Sequence, residues 1–342
     1  MNIIEHRPGL STTNGTDDWT GPILSAYSSV KAQGGGVIEF PPGIFSFNAT
    51  WLIDRNIPLI VRGSGSSMMP YSAGNTKQGT ELRYSKCDGT DAISVSAGGT
   101  GNARIVFQDI TLSGGPTSSM GSIGTHGNGN GIFVDGSHGF NMDRVSIFGF
   151  DNAGLSMKNV YYATIKDSHF RYNGYGTKCE GCNTNLWISP HWQYNTYGAI
   201  NPREIINGII QGNGKSGIIY DETGAIYSIY NSHFESNNLN KVDSDESDIY
   251  SISNSKLSLY NIWFANNYDT WPVPTHNIYG RFNQITINGV MRYFRSTPWY
   301  NAQFIGKTYI YDYSPDSMVD PSFWRVDKTN LYHYRPSMNL SV

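Results

Sequence analysis

The chain has 342 residues, 15% of them charged and 38% hydrophobic, with a formal net charge of −3. Disorder is excluded by the apolar content, and a helical membrane span by the absence of any apolar run near the ~18–20 residues it needs. Nucleic-acid binding is excluded by the lack of a Lys/Arg cluster, and three cysteines are too few for a disulfide framework.

Charged residues fall well below the ~25% of an ordinary globular domain, while Gly reaches 38 and Tyr 23. That balance suits strands and turns. No basic stretch followed by an apolar core occupies the first 30 residues, so no leader is expected.

At the front, Trp19, Ile23, Tyr27 and Val30 recur at helical spacing. Asp17 or Asp18 is placed to cap the helix start, and Gly34-Gly35-Gly36 to end it. Val37–Phe40 and Ile44–Phe47 read as short strands around the turn Pro41-Pro42-Gly43. The helix is expected to cap the open end of a β-stack and hide its strand edges.

Beyond residue 50 no second helix is predicted. Instead seven segments can be superposed: 108–115 (QDITLSGG), 143–150 (DRVSIFGF), 166–173 (KDSHFRYN), 206–213 (INGIIQGN), 230–237 (YNSHFESN), 260–267 (YNIWFANN) and 287–294 (INGVMRYF). Their fifth position is always apolar: Leu112, Ile147, Phe170, Ile210, Phe234, Phe264 and Met291. Their second is polar: Asp109, Arg144, Asp167, Asn207, Asn231, Asn261 and Asn288, as at a turn where an amide bonds the backbone. Spacings down to 23 residues match one solenoid coil, and longer ones a coil with inserted loops. The expected fold is all-β, a right-handed single-stranded parallel β-helix. Its expected organisation is an N-terminal cap at 1–50, the β-helix at 51–294, and a cap or trimerisation segment at 295–342.

Gly15-Thr16-Asp17-Asp18, the helix through Ala26, and Gly34-Gly35-Gly36-Val37-Ile38-Glu39-Phe40-Pro41-Pro42-Gly43-Ile44-Phe45 resemble the front of the pectate-lyase-like superfamily. The branch is that of bacteriophage tailspikes and capsule depolymerases. The resemblance spans roughly residues 11–294 and implies a polysaccharide lying along the helix side. It implies an extracellular, virion-borne protein, a homotrimer, and a phage tail joined through a domain absent from this chain. The N-x-D, paired Asp, G-H-G and R-x-K constellation of polygalacturonases is missing. The calcium-binding acidic cluster of pectate lyases is missing too. No cofactor and no metal are expected, and the fold alone does not fix the chemistry.

Glycoside hydrolysis uses two carboxyls flanking the bond. Glu235 lies in the sixth position of its repeat, which alternates to the outside of the strand, in one column with Arg171 and Gln211. Its alternative is a wall residue bonding neighbouring turns. Asp221 and Glu222 follow a strand in the same coil as Glu235, and Asp167 occupies the turn column. His233 shares a strand face with Glu235 and is a candidate acid–base partner. The stretch 186–197 (LWISPHWQYNTY) reads as a groove-lining insertion in the longest repeat. There His191, Trp187, Trp192 and Tyr194 are candidate sugar contacts, the rings offering faces to sugar C–H groups. Cys179 and Cys182 form a lone CxxC in a loop, with neither zinc spacing nor a thioredoxin-like setting.

The functional reading is endo-hydrolysis of a bacterial capsule or O-antigen polysaccharide by Glu235 with Asp221, Glu222 or Asp167. A lyase using His233, His191 and Arg171 is the alternative enzyme, and a carbohydrate-binding adhesin the non-catalytic one.

Overall fold

The computed structural model describes residues 1–6, 9–12, 15–66, 79–86, 88–97, 103–114, 129–237, 247–265, 276–293, 302–304, 308–312, 324–326 and 331–334. The chain divides into two compact units, Met1–Thr196 and Tyr197–Val342. Each is a stretch of parallel β-helix whose described strands form three parallel ladders.

In the first unit the first ladder runs through Trp51–Asp54, Ile93–Ala97, Ile132–Asp135, Ala153–Lys158 and Tyr175–Glu180. The second joins residues 36–39, 59–62, 105–108, 140–143, 163–166 and 185–188. The third joins 43–47, 80–84, 110–114, 145–148, 169–171 and 191–193. The second unit repeats this order, its third ladder including Ile209–Gln211, His233–Glu235 and residues 263–265. Within 295–342, the expected cap, short strands at 302–304, 308–312, 324–326 and 331–334 pair in parallel and extend the ladders.

Alternation along each strand sends every second side chain inward, and in-register pairing stacks like on like. Ile53, Val95, Val134, Met157 and Cys179 form one interior column. Ile38, Val61, Phe107, Met142, Ile165 and Trp187 form a second. Phe45, Leu82, Leu112, Ile147, Phe170 and Trp192 form a third. All are essentially solvent-free. The CxxC is thereby explained: Cys179 is on a strand, standing where other coils place Val or Met, and Cys182 is buried beside the Met157 carbonyl at 3.5 Å.

Helix α1 (Thr20–Ala32) buries Ile23, Tyr27 and Val30, with Trp19 just ahead of it. Trp19 packs edge-on against Phe45 at 4.9 Å and Tyr27 against Trp51 at 6.1 Å, so the helix covers the end of the stack. The expected aspartate cap differs. Trp19 is the N-cap residue and makes no side-chain cap bond, while Asp18 Oδ1 accepts from the Thr20 N–H at 2.9 Å.

The corners are where the sequence pattern takes its physical meaning. Asp109, Arg144, Asp167, Asn207, Asn231 and Asn261 all have φ between 47° and 57°. They turn the chain from the second ladder into the third in the left-handed region, which Asn and Asp tolerate best. The amides at Asn207, Asn231 and Asn261 are exposed, so this column is polar because of its backbone conformation. The buried amides lie at the next corner. Asn173 donates to Asn195 Oδ1 at 3.2 Å, and Asn195 to the Phe170 carbonyl at 2.9 Å. In the second unit Asn213 donates to Asn237 at 2.8 Å, and Asn237 to the Ile210 carbonyl at 3.0 Å and Asp248 at 2.7 Å. Asn277 donates to the other Asp248 oxygen at 2.7 Å.

Two details of the repeat alignment change. Residues 188–195 (ISPHWQYN) are a further copy of the repeat and part of a regular coil, not an insertion: His191, Trp192 and Gln193 pair with His169, Phe170 and Arg171. The last segment slips by one residue, since Met291 pairs with Trp263 and not with Phe264.

Asn237→Ala leaves the Asn213 amide, the Ile210 carbonyl and Asp248 with one partner fewer each. It is expected to cost about 2–4 kcal/mol, against less than about 1 kcal/mol for the exposed Asn261→Ala. Urea unfolding midpoints of the two variants check the difference.

Candidate active site

The outward face of the third ladder collects most of the chemically active side chains. In the second unit, Ile209 and Gln211 stand beside His233 and Glu235, and these beside Trp263 and Ala265. His233 Nε2 lies 3.3 Å from Glu235 Oε2, and both side chains are about 30% exposed. Residues i and i+2 of a strand share a face, which is why the HFE sequence sets this pair. Trp263 is 39% exposed and its ring lies 5.3 Å from His233. Tyr230 and Tyr260 stack at 4.9 Å and 8° on the adjoining second ladder. The arrangement is an accessible imidazole–carboxylate pair edged by an exposed aromatic ring. It can give or take a proton while the indole packs on an apolar sugar face.

The other candidate carboxylates lie elsewhere. Asp221 and Glu222 sit at the corner before strand Ile226–Tyr230, so the whole second-ladder strand and its turn separate them from Glu235. There the Asp221 N–H donates to Asn201 Oδ1 at 2.9 Å, and Asn201 donates back to the Asp221 carboxylate. Glu222 pairs with Arg203, whose guanidinium lies 5.0 Å from the Tyr227 ring centre. Asp167 is a left-handed corner residue, 3.6 Å from Lys166. Of the acidic stretch KVDSDESD (241–248), residues 241–246 lie outside the described residues, and Asp248 is buried, accepting from Asn237 and Asn277.

In the first unit the same face presents Glu81/Arg83, Thr111/Ser113, Ser146/Phe148, His169/Arg171 and His191/Gln193. Arg171 donates to the Gln193 side-chain oxygen, and the His169 and His191 rings are 4.2 Å apart. Tyr172 and Tyr194 stack at 5.7 Å and 15° at the following corner. Burial, with His191 and Arg171 alongside, pushes His169 down to about 3. Burial and Arg171 hold His191 below its usual range, against the opposing pull of Asp167. Burial also lowers Arg171.

Trp187 and Trp192 do not line a groove. They stand in interior columns, fully buried and 5.3 Å apart, because they lie on strands whose alternation points both rings inward. Sequence reasoning missed the repeat at 188–195 although H-[FW]-x-Y-N recurs 22 residues after His169. It also missed Trp263 as the exposed ring, and Glu81, which accepts from Arg83 Nε at 2.9 Å and Ser113 Oγ at 2.7 Å.

No family model matches the chain, and no curated protein matches it in sequence. Solved structures do. The A-module of a mannuronan C-5 epimerase from Azotobacter vinelandii superposes with TM-score 0.58 at 13% identity, covering 98% of each chain. A DFA-IIIase from Arthrobacter chlorophenolicus in complex with GF2 gives 0.67 at 14%, covering 96% of this chain and 92% of that one. A protein of Geobacillus virus E2 gives 0.55 at 15%, this chain spanning 59% of its length. At these identities the likeness establishes the shared β-helix fold.

Trp192→Ala is expected to cost roughly 3–5 kcal/mol of stability. Trp263→Ala stays within about 1 kcal/mol, being a surface change; thermal unfolding of both separates core from surface. A second expectation concerns pH. His169 binds its proton less readily folded, at about 3, than at the ordinary 6.5. The unfolded chain therefore holds more protons between those values. Stability is full above pH 6.5 and falls as pH drops toward 3, by at most about 1.4 kcal/mol per pH unit for this group. Urea midpoints at pH 7 and pH 4 test the direction, and the His169→Asn variant shows a shallower fall.

Proposed function

We propose that the chain is a polysaccharide-cleaving enzyme of the phage tailspike type, acting within a bacterial surface glycan. The observation that carries this reading is the accessible His233–Glu235 pair, 3.3 Å apart, beside the exposed Trp263. The glycan lies along the outward face of the third ladder with a sugar ring on Trp263. Glu235, when protonated, delivers its proton to the glycosidic oxygen as the bond breaks. His233 contacts that carboxylate and exchanges the proton with it. Water then adds to the anomeric carbon, and the proton it loses returns to the pair. Support comes from the tailspike-like front segment and from fold likeness to carbohydrate enzymes and a viral protein. A trimer of this 38.0 kDa chain on a virion belongs to the same proposal.

A lyase reading has one specific observation in its favour: the group touching Glu235 is a histidine. In that reaction His233 removes the C5 proton of a uronic acid and Glu235 protonates the leaving oxygen. The product then carries a C4–C5 double bond and no water is added.

Mass spectrometry of fragments released from a panel of bacterial surface polysaccharides, with absorbance followed at about 232 nm, separates these outcomes. Saturated fragments one water heavier per cut mark hydrolysis, and ultraviolet-absorbing ones elimination. Glu235→Gln is expected to lower kcat by about 10²–10⁴-fold with the fold intact. Undiminished cleavage by Glu235→Gln, or no cleavage of a polymer that the chain binds, overturns the proposal. Light scattering checks the trimer, and a 38.0 kDa particle rejects it.

A further inference from the structure

The outward face of the first unit's third ladder holds a second polar cluster that proton transfer at His233–Glu235 does not use. His169 and Arg171 are each 9% exposed and Gln193 is 7% exposed, although all three point away from the interior columns. The Nδ1 atoms of His169 and His191 are both buried with no hydrogen-bond partner among the described residues. Buried polar nitrogens are ordinarily paired, so two on one patch mark a place where a ligand can supply acceptors.

The charge of the patch selects the ligand. Both imidazoles sit below their usual range and are neutral at neutral pH, which leaves the Arg171 guanidinium as the local positive charge. A metal cation would face that charge, whereas a carboxylate is attracted to it. Asp167, the acidic group acting on His191, stands at the corner with its side chain 41% exposed, beside Lys166. Guanidinium N–H groups suit the two oxygens of a carboxylate, and a neutral imidazole N–H adds a donor. Access comes from one side: His191, Tyr172 and Tyr194 are partly exposed, and the two tyrosine rings are stacked at 5.7 Å. Such rings offer an apolar face and a hydroxyl edge to a pyranose.

We propose that His169, Arg171, His191 and Gln193, with Tyr172 and Tyr194, form a subsite for an acidic sugar whose carboxylate is held by Arg171 and an imidazole N–H. This rests on the reading that the ligand is a polysaccharide, and it names the sugar class that the polymer contains. It does not depend on which group breaks the bond.

The test is calorimetric binding by the full chain of oligomers of glucuronate, galacturonate and mannuronate, each alongside its carboxyl-reduced counterpart. At least one acidic oligomer is expected to bind at least roughly tenfold tighter than its reduced form, and less tightly as salt rises. Arg171→Gln removes that preference, the acidic oligomer losing more affinity than the reduced one. Should Arg171→Gln fail to fold, His191→Asn at the partly exposed edge reads the same loss by about threefold or more. In the wild type, the acidic oligomer shifts the His169 and His191 imidazole nitrogen resonances, which a remote site leaves unmoved. Equal affinity for acidic and reduced oligomers, binding indifferent to the substitutions, or no binding of any oligouronate overturns the proposal. Cleavage is not read here, so a failed His233–Glu235 mechanism leaves these outcomes distinct. Acid-selective binding without cleavage rejects the enzyme reading alone.

Discussion

Every coil of this protein must turn its backbone at three corners and bury polar groups in doing so. At the corner after the third ladder that requirement is met by side-chain amides that stack in register. Asn173 and Asn195 in one unit, and Asn213, Asn237, Asp248 and Asn277 in the other, are each almost completely buried. Each asparagine donates a hydrogen bond to a neighbour one coil away or to a main-chain carbonyl, and Asp248 accepts from Asn237 and Asn277. An unpaired buried amide costs about 1–3 kcal/mol, so a coil shifted by one residue loses these bonds as well as its apolar match. The amides therefore fix register as much as they add stability. Asp248 shows the same logic at a chemical exception: a buried carboxylate takes the two amide donors that an asparagine at its position could not accept on both atoms.

Register in turn decides what the outward face can do. Once Phe170 stacks between Ile147 and Trp192, His169 and Arg171 are obliged to share the opposite face with His191 and Gln193. Once Phe234 stacks between Ile210 and Phe264, His233 and Glu235 must face outward beside Gln211 and Trp263. Parallel neighbours repeat at about 4.8 Å, comparable with the spacing between sugar-binding contacts that a polymer can bridge. The solenoid thus converts a linear sequence repeat into a row of side chains along which a linear ligand can lie.

Much of this was legible in the sequence because the interior columns are predominantly apolar, with exceptions such as Thr177 and Asn185, and recur at coil spacing. Six of the repeats, the capping helix with Trp19, Ile23, Tyr27 and Val30, and the shared face of His233 and Glu235 follow from periodicity alone. The repeat at 188–195 was hidden because Ser189-Pro190 stands where other repeats carry Asp167-Ser168, Asn207-Gly208 or Asn231-Ser232, and because tryptophan reads as a surface ring near polar residues. Its burial depends on Phe170 lying across from it, a tertiary fact. Asp221 and Glu222 were adjacent to Glu235 in sequence terms, yet a strand running between two corners carries them to another face. Glu81 had no repeat partner to flag it, since the second and third ladders of its coil are separated by the long segment 63–79.

Fold likeness at 13–14% identity reaches both a C-5 epimerase and a DFA-IIIase, and the reason lies in the same division of labour between faces. Inward positions answer to packing, so they admit Val, Ile, Leu, Met, Phe, Trp or Cys with little consequence for chemistry. Outward positions answer to the ligand, and nothing in the stacking of coils calls for a histidine next to a glutamate at His233 and Glu235. Nor does it call for two imidazole nitrogens without partners among the described residues at His169 and His191. A wall built only for stability would place paired or apolar side chains there, as Ile209 and Phe148 do one coil away from each cluster. The two clusters also differ in what they can contribute. The His233–Glu235 pair is open and can cycle a proton, whereas the His169–His191 pair is held neutral beside a fixed positive charge and is suited to holding an anion in place. In each unit the character of the cluster is set by the residues that packing leaves free.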